Sequence, residues 1–127
     1  MKKTIVISGV LLLLLGCSHQ KSTADWLEKL HAEDSSVRLH AAKALGEKRA
    51  EAQTVVPALA EALHDQDAFV RREAANSLGR IGPEARTAVP ALLAATQDRQ
   101  PKVRQAATQA LKQIDPEAAT KLNARRT

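Results

Sequence analysis

Apolar residues in the second half of the chain return every three or four positions. Val70, Ala74, Leu78 and Ile81 form one such series, with the small polar Ser77 on the same side, and Val103, Ala107, Leu111 and Ile114 form another. That spacing lays a stripe along one side of an α-helix. A shorter apolar segment precedes each stripe, Val55 to Leu59 before the first and Val89 to Leu93 before the second, so each unit reads as a helical hairpin. In the middle unit the first helix is expected from near Val56-Pro57 to about His64. Pro57 then takes a first-turn position, where a missing N–H costs nothing. Asp65-Gln66-Asp67 makes the turn, and Asp67 caps the second helix as Asp34 does earlier, its carboxylate accepting N–H groups of the opening turn. In the third unit Gln100 replaces that Asp and Pro101 follows, which predicts weaker capping. Gly46, Gly79 and Gly82-Pro83 read as helix stops.

The hairpins are copies of one another. A shift of 33 residues carries Val70 onto Val103, Pro57 onto Pro90, Leu59 onto Leu92, Asp65 onto Asp98, Arg71 onto Arg104, and Pro83-Glu84-Ala85 onto Pro116-Glu117-Ala118 without a gap. The same step backwards finds a weaker first copy in Val37, Arg38, Ala41, Leu45 and Gly46. Three tandem repeats define the fold class: all-α, a short right-handed α-solenoid of three helical hairpins closed by a terminal half-repeat cap. The repeats span about residues 23–54, 55–87 and 88–120, with a polar cap at 121–127. Ser22-x-x-Asp25 offers a capping box that opens the first helix, with Trp26, Leu27 and Leu30 on one face. Trp26 stands where the later copies have Leu59 and Leu92. It is either a core residue of the first repeat or an exposed anchor at a lipid interface.

Composition narrows the picture. The chain of 127 residues has room for one domain and an export signal, and only 2% of it is aromatic, Trp26 and Phe69. Its Ala- and Leu-rich make-up suits small, closely packed helices. Three repeats are near the minimum for a solenoid and backbone ordering opposes a small Ala-rich core, so marginal stability is expected.

Residues 1–17 read MKKTIVISGVLLLLLGC: a basic start at Lys2 and Lys3, an apolar run from Ile5 to Leu15, a small residue and a cysteine. This is the order of a bacterial secretory signal, and the run is shorter than the ~20 residues a membrane-spanning helix needs. Leu14-Leu15-Gly16-Cys17 resembles the lipobox of bacterial lipoproteins. The resemblance implies cleavage between Gly16 and Cys17 after residues 1–16, with diacylglycerol and fatty acyl groups carried covalently on Cys17. The alternative is an ordinary signal peptide with an incidental cysteine. Several acyl chains would hold the chain on a membrane through the short tether 17–22. Ser18 in place of Asp leans toward the outer membrane, facing the periplasm, if the host is Gram-negative. Loss of Lys2 and Lys3 lowers the formal charge from +5 to +3.

Asp65-x-Asp67-x-x-Val70-Arg71-x-x-Ala74-x-x-x-Leu78-Gly79-x-Ile81-Gly82 resembles the HEAT repeat, in the short HEAT-like form of phycobilisome lyases and many bacterial proteins. The resemblance runs from about Ala24 to Leu122, with Lys112 in place of Gly in the third copy and Lys48 in place of Ile in the first. It implies a structural ladder between adjacent repeats, built from Asp65 and Asp98 with Arg38, Arg71 and Arg104. It also implies a concave face lined by the second helices. Leu39 and Lys43, then Phe69, Arg72, Asn76 and Arg80, then Lys102 and Gln105 lie opposite the apolar stripe and are the candidate partner-binding residues. Phe69 is either an anchor for a partner or local packing over the helix start.

No catalytic constellation is present in the sequence. His31, His40 and His64 lack ligand spacing and read as surface histidines, the single Cys17 has no partner or CxxC spacing, and the glycines follow no phosphate-loop order. No cofactor, metal or small-molecule substrate is expected. The mild positive charge and two aromatics argue against nucleic acid. The chain is therefore expected to be a non-enzymatic, membrane-anchored scaffold or adaptor for another cell-envelope protein. The alternatives are a lyase or lyase-accessory protein, which the repeat resemblance suggests, and an assembly factor for an outer-membrane or secretion component.

Overall fold

A computed structural model describes residues 20–127. The signal segment 1–16, the Gly16–Cys17 cleavage site, Cys17 as lipid acceptor and the first half of the tether, through residue 19, lie outside the described residues. Among the described residues seven α-helices follow one another: α1 (Thr23–Lys29), α2 (Ser35–Leu45), α3 (Ala52–Ala62), α4 (Ala68–Ile81), α5 (Val89–Ala95), α6 (Pro101–Ile114) and α7 (Pro116–Ala124). Short 3₁₀ stretches, Arg49–Glu51 and Gly82–Ala88, lead into α3 and α5. The pairs α1/α2, α3/α4 and α5/α6 are hairpins, and the second helices α2, α4 and α6 stack side by side, α4 against α6 most extensively. This is an all-α solenoid.

The caps follow local chemistry. Ser22 and Asp25 form a reciprocal capping box at α1, and Asp34 accepts from Ser36 N–H at α2. Asp67 accepts from the N–H groups of Phe69 and Val70 at α4. At α6, Gln100 makes no side-chain cap and Pro101 opens the helix instead. α7 is a further first helix, capped by Asp115, whose side chain accepts from Ala118 N–H.

Two local expectations are corrected. Pro57 lies inside α3, which begins at Ala52, while its counterpart Pro90 does open α5. Gly79 lies within α4, buried, at the place where α6 crosses. A Cβ there would meet the Cα of Ala110 at 3.2 Å and the side chain of Gln113. Its role is close helix approach, and Gly82 is the stop, with φ of +80°. Gly46 ends α2 with φ of −61° and also lies against Ser77 and Arg80 of α4.

The core repeats as the sequence does. Ala41, Ala74 and Ala107, and Leu45, Leu78 and Leu111, are all fully buried. So are Leu59 and Leu92, while Trp26 at the equivalent place in α1 is half-buried against the core, with the ammonium groups of Lys21 and Lys29 at 5.0 and 5.8 Å from its ring centre. Ser77 is buried and donates to the carbonyl of Ala42 at 2.7 Å, which ties α4 to α2. Among the described residues no helix is long and apolar enough to cross a membrane.

Candidate functional site

The turns between paired helices carry a ladder of charge-assisted hydrogen bonds. Arg38 donates from Nε and Nη2 to the two carboxylate oxygens of Asp65, at 2.8 and 3.0 Å, and from Nη1 to the carbonyls of Ala32 and Glu33 in its own turn. Arg71 repeats the arrangement one unit on, to Asp98 at 2.8 and 3.2 Å and to the carbonyls of Asp65 and Gln66. Each guanidinium thus ties its own turn to the next, using the planar fork that matches a carboxylate. Arg71 is only 5% exposed. Each aspartate also accepts an N–H two residues on, Asp67 or Gln100, which fixes the turn that precedes the following helix.

Burial pushes the carboxyls of Asp65 and Asp98 upward, but the guanidinium and backbone hydrogen bonds outweigh it, and both titrate below the ordinary aspartate value. The hydrogen bond to Asp65 raises Arg38 above its usual range, burial opposing.

The ladder is incomplete at both ends of the described repeats. Ala32 stands where Asp65 and Asp98 stand in the later copies, a difference visible on aligning the copies at their period. Arg104 donates from Nη1 to the carbonyls of Asp98 and Arg99, but no described carboxylate meets its Nε and Nη2.

Candidate partner-binding residues fall into three groups. Arg72, Asn76, Lys102 and Gln105 line one shallow groove of about 260 Å³ between α4 and α6, together with Ala106 and Gln109. Phe69 lies beside it, 61% exposed, with the Arg72 guanidinium 5.3 Å from its ring centre. Leu39 and Lys43 belong to α2 and do not line this groove. Arg80 is occupied by the fold: it meets Glu73 at 3.0 Å, the Ser77 hydroxyl at 2.8 Å, the Lys43 carbonyl at 3.3 Å and Glu47 at 3.7 Å. The acceptors Glu73 and Ser77 follow from helical spacing on α4, whereas Lys43 and Glu47 arrive only through packing. His31, His40 and His64 are all exposed, and no cluster of described His, Cys, Asp or Glu side chains could hold a metal ion.

Stacked hairpins, repeating core positions and an Arg–Asp ladder define a HEAT-repeat solenoid. The chain belongs to that family: the family model for HEAT repeats matches residues 23–112. Among solved structures, it is similar to a chain in the complex of CpcE and CpcF of phycocyanin lyase from Nostoc sp. PCC7120, at 31% identity and a TM-score of 0.75. That match covers 84% of this chain and 42% of the other, so this chain spans less than half the length of that relative. An engineered protein shares the fold at 24% identity and a TM-score of 0.64, over 84% of this chain and 51% of its own. No match was found among curated proteins.

Proposed function

We propose that this HEAT-repeat protein is a non-enzymatic scaffold, held on the cell-envelope membrane by lipid on Cys17, that binds another envelope protein across α4 and α6. One observation carries the binding face: Phe69, the most exposed large apolar side chain described, is held by Arg72 at the edge of a groove lined with Asn76, Lys102 and Gln105. An aromatic with a neighbouring arginine is the composition of an interface hot spot. The anchor reading rests on Leu14-Leu15-Gly16-Cys17 behind a basic, apolar leader.

Pull-down from detergent-solubilised envelopes tests the face, comparing wild type with Phe69→Ala/Arg72→Glu. Capture of the same partners by both rejects it. Mass spectrometry of the mature N-terminus tests the anchor, and an unlipidated Cys17 removes the location.

A second reading is supported by the likeness to the phycocyanin-lyase complex: a lyase or lyase-accessory protein of the HEAT-like family. Recovery of the unprocessed chain from the cytoplasm would favour it over the envelope scaffold. An assembly factor is distinguished from a static scaffold by loss of the partner's assembly on deletion.

A further inference from the structure

The open rung at Arg104 has a well-defined surrounding. Arg104, Lys112 and Arg126 line a groove of about 630 Å³ beside α6, with Thr96, Gln105 and Thr108 among its neutral walls, and no acidic residue lines it. In register, Gln105, Thr108 and Lys112 are the counterparts of Arg72, Ala75 and Gly79, the side of α4 that looks toward α6. The groove is thus the seat that a neighbouring helix fills one repeat earlier. Here that side carries a hydroxyl and a lysine in place of the small buried Ala75 and Gly79. Gly79 allows the Ala110 backbone to come close, whereas a long ammonium side chain at 112 holds a helix off and offers charge instead.

We propose that this groove is a docking site for an acidic loop of a partner protein, whose aspartate completes the third rung on Nε and Nη2 of Arg104. The chain itself shows the binding mode twice. On Arg38 and Arg71 the same guanidinium edge holds an aspartate bidentately, in a turn whose N–H two residues on returns to that carboxylate. Arg104 keeps the orienting half of the motif, since Nη1 is fixed at 2.7 Å from the Asp98 carbonyl and 3.2 Å from that of Arg99. Arg126 is tethered as well, donating to the Thr96 carbonyl at 3.2 Å. A preset fork with two further cations supplies charge complementarity and geometric selectivity for a carboxylate. This groove adjoins the one beside Phe69, with Gln105 and Gln109 lining both, but its argument rests on Arg104, Lys112 and Arg126 and not on the Phe69 edge.

The test is an NMR titration of the full-length chain in detergent micelles, labelled with ¹⁵N-arginine. The probe is a synthetic peptide of the chain's own rung turn, His64-Asp65-Gln66-Asp67-Ala68-Phe69, compared with the same peptide carrying Asp65→Asn and Asp67→Asn. The Arg104 Nε–H signal is expected to shift saturably with the acidic peptide and stay still with the amide peptide, while the occupied Arg38 and Arg71 signals do not move. Lys112→Glu, an exposed change that leaves the Arg104 hydrogen bonds in place, is expected to weaken the response roughly tenfold, and Phe69→Ala to leave it unchanged. No Arg104 shift, an equal shift with the amide peptide, or no effect of Lys112→Glu overturns the proposal. Vesicles of phosphatidylglycerol are the remaining arm: a shift with vesicles and none with the peptide reassigns the groove to anionic lipid.

Discussion

Arg71 and Asp98 face each other across the boundary between the second and third repeats, Nε to Oδ2 at 2.8 Å, with side chains only 6% and 11% exposed. Removing one partner strands the other at a site with little water. Asp98→Ala is therefore expected to cost about 3 kcal/mol, the lower end for breaking a buried pair. Urea denaturation measures it, as a fall in midpoint with an unchanged slope. An unaltered midpoint would mean that the rung contributes only geometry.

The same carboxyls make stability depend on acid. Asp65 and Asp98 titrate lower in the fold than the ~3.9 of an unfolded aspartate, so their contribution is complete above that value and lost as pH falls through the folded one. The urea midpoint is expected to fall steeply below about pH 4. Asp65→Asn/Asp98→Asn should start lower and show a flatter acid limb, which parallel titration curves for the two proteins would contradict.

Two glycines should fail for different reasons. Gly79→Leu forces side-chain atoms into the α4–α6 contact beside Ala110 and is expected to cost about 3 kcal/mol or more by overpacking. Gly82→Ala meets nothing within 4 Å, yet sits at φ of +80° and ψ of −144°, where strain alone costs roughly 1–3 kcal/mol. Crystal structures of the two variants separate the causes, with displaced helices in the first and only a local backbone change in the second.

Phe69→Ala should leave folding within about 0.5 kcal/mol of wild type, because the ring is mostly in water. Under the proposed function it lowers partner affinity by about 2 kcal/mol, roughly thirtyfold. Thermal denaturation and a binding isotherm on the captured partner read the two effects separately.

The hairpins, caps and core stripe were legible because they depend on spacing within one helix or one turn. Ser22/Asp25, Asp34 and Asp67 cap where their sequence positions place them. Gly79 was misread because a glycine that ends a helix and one that admits a neighbour look alike until α6 is placed against it. The extent of α3 was hidden because Pro57 suits a first turn and can also sit further in. At the candidate site, Arg72, Asn76, Lys102 and Gln105 share a groove through the repeat period, which places α4 and α6 side by side. Arg80 gave no local sign that Glu47 and the Lys43 carbonyl from the preceding repeat would occupy it.

Asp65 accepts both the Arg38 fork and the N–H of Asp67, the residue that caps α4. The start of one helix is therefore wired to an arginine two helices earlier in the chain. Opening the first hairpin withdraws that arginine and loosens the cap of the second, so unfolding should spread in relay from turn to turn. Amide exchange at Asp67 and Gln100 would record the relay, each reporting on the hairpin before its own.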